Sequence, residues 1–154
     1  MSDNWSDRIK ACPHFRWRPG MAFFPADHTG RRWRVLDSAW AAHACGDNTQ
    51  FKTLAQHDMD SARVAQFDPA TIGVLEEIVL RAWGDRAEIL RVVCGIGPRM
   101  EGVSVSWWVT DAAGRRRGAG SITAPRDAGG AHYGQPSRWK AWAVLGALEA
   151  APNA

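Results

Sequence analysis

A chain of 154 residues, 45% hydrophobic and 23% charged, has the composition of a globular domain and not of a disordered, collagenous or membrane-spanning protein. A domain of this length buries about 68–70% of its unfolded surface, so a core needs neither disulfides nor a structural metal. The net charge is +3, and residues 99–140 hold seven basic against three acidic groups, which permits a basic face without demanding a polyanionic partner.

The opening Met1-Ser2-Asp3-Asn4-Trp5-Ser6-Asp7 is polar and unlike a signal peptide. No apolar run approaches the ~20 residues that span a bilayer, so the expectation is a cytoplasmic protein with no membrane partner. Cys12, Cys45 and Cys94 are odd in number and widely spaced, which suits free thiols in a reducing compartment. No repeat or low-complexity tract divides the chain, and residues 1–154 read as one domain.

Met21-Ala22-Phe23-Phe24, bracketed by Pro19-Gly20 and by the run 25–30, and Arg31-Arg32-Trp33-Arg34-Val35-Leu36 read as a hairpin. Residues 43–67 show no period and are expected to be irregular. Asp68-Pro69 places a side-chain acceptor before a proline at the first helical position. Ile72, Leu75, Ile78, Val79, Ala82 and Trp83 then share one helical stripe, with Gly84 as the stop. Ile89–Cys94 is a short apolar run suited to a buried strand. Val103, Val105, Trp107 and Val109 alternate with Ser104, Ser106, Trp108 and Thr110, the plainest strand in the chain. Asp111-Ala112-Ala113-Gly114 turns into a partner strand from about Arg115 to Thr123, in which Gly118 and Gly120 read as strand glycines. Residues 125–136, with three glycines and two prolines, predict the most mobile loop. A terminal helix follows over about 137–150, and its wide apolar arc suits burial on more than one side or a face left for a homodimer. The sum is an α+β domain: an antiparallel sheet of four or five strands packed against two helices, about 69–83 and 137–150.

No nucleophile elbow, H-E-x-x-H, P-loop or dinucleotide fingerprint occurs, so no catalytic residue, metal or cofactor is assigned. Cys12-Pro13-His14 and His43-Ala44-Cys45 carry zinc-competent donors, but the one-residue gaps fit no common finger. His57-Asp58-Met59-Asp60 sets an imidazole beside carboxylates, an arrangement more often solvated surface than an acid/base pair. A small enzyme or ligand-sequestering protein would need a pocket around His57 with Asp58, or His132 with Tyr133.

The basic and aromatic groups are more suggestive. Phe15-Arg16-Trp17-Arg18, Arg31-Arg32-Trp33-Arg34 and Arg138-Trp139-Lys140 interleave cations with aromatics, and Arg115-Arg116-Arg117 follow a turn. Such pairs serve single-stranded nucleic acid, protein interfaces, or a tryptophan-rich core edged by arginines. Strand parity assigns Trp33 and Trp107 to the core and points Trp108 the other way. The candidate binding residues are Trp108, Arg115, Arg116, Arg117, Arg126, Arg138 and Lys140.

The segments Cys12–Met21 and Asp68–Asp85 resemble small bacteriophage- and prophage-encoded accessory proteins, over about a third of the chain. The resemblance brings no catalytic residue. It implies a non-enzymatic protein that binds a host protein or a defence ribonucleoprotein complex, as an inhibitor in the manner of the anti-CRISPR class. The alternative read from the residues is a single-stranded nucleic-acid binder, with arginines on phosphates and a base on Trp108.

Overall fold

The computed structural model describes residues 5–26, 30–37, 41–96, 102–125 and 136–152. Four helices and eight strands follow in the order α1 (Trp5–Ala11), β1 (Ala22–Phe24), β2 (Trp33–Val35), β3 (Ala41–Ala44), β4 (Asp47–Thr53), α2 (Gln56–Ser61), β5 (Arg63–Val64), α3 (Pro69–Ala82), β6 (Ile89–Ile96), β7 (Gly102–Thr110), β8 (Arg116–Pro125) and α4 (Pro136–Glu149). The expected α+β class holds. The strands form two antiparallel sheets, one of five strands ordered β4-β3-β2-β1-β5 and one of three ordered β6-β7-β8. No helix among the described residues is long and apolar enough to cross a membrane.

The expected hairpin is β1–β2, with Phe23 opposite Trp33. Residues 43–67, expected to be irregular, are instead the end of β3, then β4, α2 and β5. Their inward positions explain the missing period. Ala42 and Ala44 are fully buried, yet alanine is too small to mark a buried face when Ala41 occupies the other one. Phe23, Trp33, Val35, Ala42 and Ala44 close one hydrophobic cluster with Leu54, Met59 and Ala62. Helix α1 was also unexpected; it buries Trp5, Ser6 and Ile9 within seven residues, too short a span for periodicity to register.

Helix α3 forms where its cap predicts. The Asp68 side chain accepts from the Thr71 backbone N–H at 2.9 Å, Pro69 takes the first turn, and Gly84 leaves at φ 113°, a conformation that favours glycine. Its buried face of Ile72, Leu75, Ile78 and Val79 joins α4, α1 and one face of the three-stranded sheet in the larger hydrophobic cluster. In α4, Trp139 and every residue from Ala141 to Leu148 other than Gly146 are buried hydrophobics. The wide arc is therefore covered within the chain by α1, α3 and the sheet, the first of the two expected explanations. Trp5 Nε1 donates to the Ala141 carbonyl at 2.8 Å, which fixes α1 across it. Trp17 packs against both clusters and bridges them.

Candidate functional site

Strand parity in β6–β8 decides which side chains meet the helices and which meet solvent. The cross-strand rows Trp107–Gly120 and Leu90–Val109–Gly118 lie on the helix side, with Leu90, Trp107 and Val109 buried. Trp107 and Trp83 fit there because their neighbours have no side chain. A Cβ at Gly118 would lie 2.4 Å from Trp83 Cζ3, one at Gly120 2.8 Å from Trp107 Cζ2, and one at Gly146 2.7 Å from Trp107 Nε1. The two indoles stand 5.8 Å apart at 50°, and Trp83 is pinned by its Nε1 donating to the Ala147 carbonyl at 2.9 Å. Gly118 and Gly120 are thus strand glycines as expected, and the reason is ring packing.

On the opposite face lie the β7–β8 pairs Trp108–Ala119, Ser106–Ser121 and Ser104–Thr123. Ser104, Ala119, Ser121 and Thr123 are exposed, so the β7–β8 part of this face is a platform of short side chains. Trp108 rises from it half-buried, and the Arg116 guanidinium lies over its ring at 5.5 Å. The turn before β8 is built by Asp111, whose Oδ1 accepts from the backbone of Ala113 at 3.0 Å and of Arg115 at 2.9 Å, while Gly114 takes φ 82°. It sets Arg115, Arg116 and Arg117, all exposed, at one end of the platform.

The structure therefore brings Arg116 against Trp108, with Arg115 and Arg117 exposed beside Arg116 in the chain. Lys140 belongs elsewhere: its Nζ lies 2.5 Å from Glu76 Oε2 and clips α4 to α3. Arg126 lies outside the described residues, as do the side chain of Arg138 and the pair His132 and Tyr133.

The arginines around Trp33 have structural duties that sequence reasoning missed. Arg34 forms a two-pronged pair with Asp68, Nη1 to Oδ2 at 3.0 Å and Nη2 to Oδ1 at 2.9 Å, and Nη1 also donates to the Gly20 carbonyl at 2.7 Å. Thr71 Oγ1 donates to Asp68 Oδ2 at 2.6 Å and accepts from the Ala22 N–H at 2.8 Å. Burial alone would raise the Asp68 carboxyl, but the Arg34 guanidinium and the Thr71 bonds outweigh it and hold the group below the usual carboxylate range. Trp33 is 9% exposed and lies beneath Lys52 at 4.1 Å and Arg31 at 5.9 Å, so it belongs to the core with cations over its edge. The only sequence signal for the Arg34 pair was the cap position of Asp68, which leaves one carboxylate oxygen to spare.

The other constellations separate into local roles. His57 Nε2 is 3.3 Å from Asp58 Oδ1 on an exposed helix, and Asp58 Oδ2 accepts from the Ala55 N–H at 2.8 Å as part of the α2 cap. Cys12 is buried, with its Sγ 3.4 Å from the Arg8 carbonyl, and burial pushes its thiol up to about 11. Cys45 lies half-buried just after β3, and no group of three or more His, Cys, Asp or Glu converges among the described residues.

Comparison of the chain with protein-family models, with curated proteins and with solved structures found no match.

Proposed function

We propose that this chain is a non-enzymatic binding protein of the phage accessory type, which docks a host protein or ribonucleoprotein through the open face of β6–β8. The observation that carries the reading is Trp108, a half-buried indole under the Arg116 guanidinium beside the short side chains of Ser104, Ser106, Ala119, Ser121 and Thr123. Tryptophan and arginine dominate interface hot spots, and short neighbours let a partner surface approach the ring closely. Arg115 and Arg117 add a positive rim, so the matching surface is acidic. The test is capture from bacterial lysate with and without nuclease, using the natural chain and Trp108→Ala. The expected result is a partner that survives nuclease and is lost with W108A. Retention of the same partner by W108A would place the interface elsewhere.

The same stack favours a second reading, direct binding of single-stranded nucleic acid. An indole that accepts a planar guanidinium accepts a base in its place, while Arg115–Arg117 meet phosphates. Titration with single-stranded DNA and RNA oligonucleotides should then show tryptophan quenching and an affinity that falls steeply with salt. No affinity even at low salt would discard it.

A further inference from the structure

The N-terminal basic segment takes no part in the sheet platform. It walls a separate cleft. His14, Arg16 and Arg18, between α1 and β1, face Ile78, Arg81 and Ala82 near the end of α3 across a cavity of about 440 Å3. Such a volume falls within the range of small-molecule sites.

The segment is held in shape by its aromatic residues. Phe15 is buried and meets Trp17 edge-on at 5.4 Å, and Trp17 meets Phe23 at 5.9 Å. With those rings packed inward, the intervening arginines line the opening. His14 Nε2 lies 2.8 Å from the Pro152 carbonyl, and Arg16 Nη1 donates to the carbonyls of Pro13 at 3.0 Å and Phe15 at 2.7 Å. These contacts orient the head groups without neutralising them, because a carbonyl carries no net charge.

Carboxylate compensation is sparse. Arg18 Nη1 lies 3.9 Å from Glu77 Oε2, a loose pair whose acidic partner is largely exposed. Arg81 has no ion pair among the described residues. Three guanidiniums against one peripheral carboxylate leave a surplus of two positive charges, set beside the apolar Ile78 and Ala82.

We propose that this cleft binds a small organic phosphate monoester, with its phosphate among Arg16, Arg18 and Arg81 and its apolar body against Ile78 and Ala82. A phosphate monoester carries a charge of about −1.5 to −2 at neutral pH, which matches the surplus, and its three oxygens suit several guanidinium forks at once. A carboxylate is satisfied by one fork and leaves the rest of the cleft unmatched.

The probes are phenyl phosphate, inorganic phosphate and benzoate, titrated into the full chain by calorimetry at an ionic strength of about 0.15 M, where distant charges are screened. Phenyl phosphate should bind saturably at one site, and more tightly than either of the other two. Arg81→Gln and Arg18→Gln should each weaken it about tenfold, the loss of one charge-assisted contact, while Arg115→Gln on the sheet platform leaves it unchanged. Arg81 is exposed on the helix, so R81Q keeps the fold, and thermal unfolding checks this for both cleft variants. Absence of saturable phenyl phosphate binding by the natural chain would overturn the proposal, and so would R81Q and R18Q that bind as tightly as the natural chain, or a preference for benzoate.

Discussion

The two sheets solve the problem of covering a β surface in different ways. The five-stranded sheet uses strands of two to seven residues, buries small side chains such as Ala42 and Ala44, and closes its cluster with Leu54, Met59 and Ala62 around α2. The three-stranded sheet uses strands of eight to ten residues, sinks Trp107 into glycine gaps beneath α3 and α4, and leaves Ser104, Ala119, Ser121 and Thr123 exposed on its other face. A sheet that turns one face to two helices can use the other for recognition, whereas strands of two to seven residues do not offer a platform of that size. The knot of Arg34, Asp68 and Thr71 ties the first sheet to the helix that covers the second.

The sharpest way to separate the two faces of the long sheet is to truncate adjacent tryptophans. Trp107→Ala should cost about 3–5 kcal/mol in denaturant unfolding, because it empties a closed core. Trp108→Ala should cost about 1 kcal/mol and leave the fold intact, the half-buried ring being largely a matter of recognition. Similar losses at both positions would mean that the open face is part of the core. Breaking the knot comes next. Asp68→Ala removes a helix cap and strands the Arg34 guanidinium, for an expected loss of about 3 kcal/mol. Because the Asp68 carboxyl is held below its ordinary value of about 3.9, the stability it supplies is full above that pH and disappears as pH falls through the lower, folded value. Acid unfolding of the natural chain should therefore show a slope below about pH 4 that Asp68→Ala flattens.

A smaller loss, about 2 kcal/mol, is expected for Gly118→Ala, whose new methyl meets the pinned Trp83 ring. The smallest effect has the opposite sign. Gly73 sits on the exposed side of α3 with open space at its Cβ position, so Gly73→Ala should raise stability by about 0.5–1 kcal/mol, read as a higher midpoint with an unchanged denaturant slope.

The long sheet and α3 were legible because their signals are local. Val103, Val105, Trp107 and Val109 alternate with polar neighbours, and Asp68-Pro69 is a helix start that needs no tertiary information. The same parity separated Trp108 from Trp107. What was not legible depends on partners far along the chain. Arg34 meets Asp68 across 34 positions and Lys140 meets Glu76 between two helices, so neither could be told from a free surface cation in the sequence. The cleft shows this most clearly: Arg16 and Arg18 stood out beside aromatics, but Arg81 joins them only because the end of α3 is folded against that segment.

The packing of Trp83 and Trp107 onto Gly118, Gly120 and Gly146 bears on how this sequence can diverge. A methyl group at Gly118 is blocked while the large ring of Trp83 stands over it, yet becomes acceptable once that ring is smaller. Substitutions at these positions are therefore ordered in time, the tryptophan shrinking before the glycine can grow. Trp83→Phe should recover part of the stability that Gly118→Ala loses, a non-additive pair of the kind that leaves two distant positions changing together.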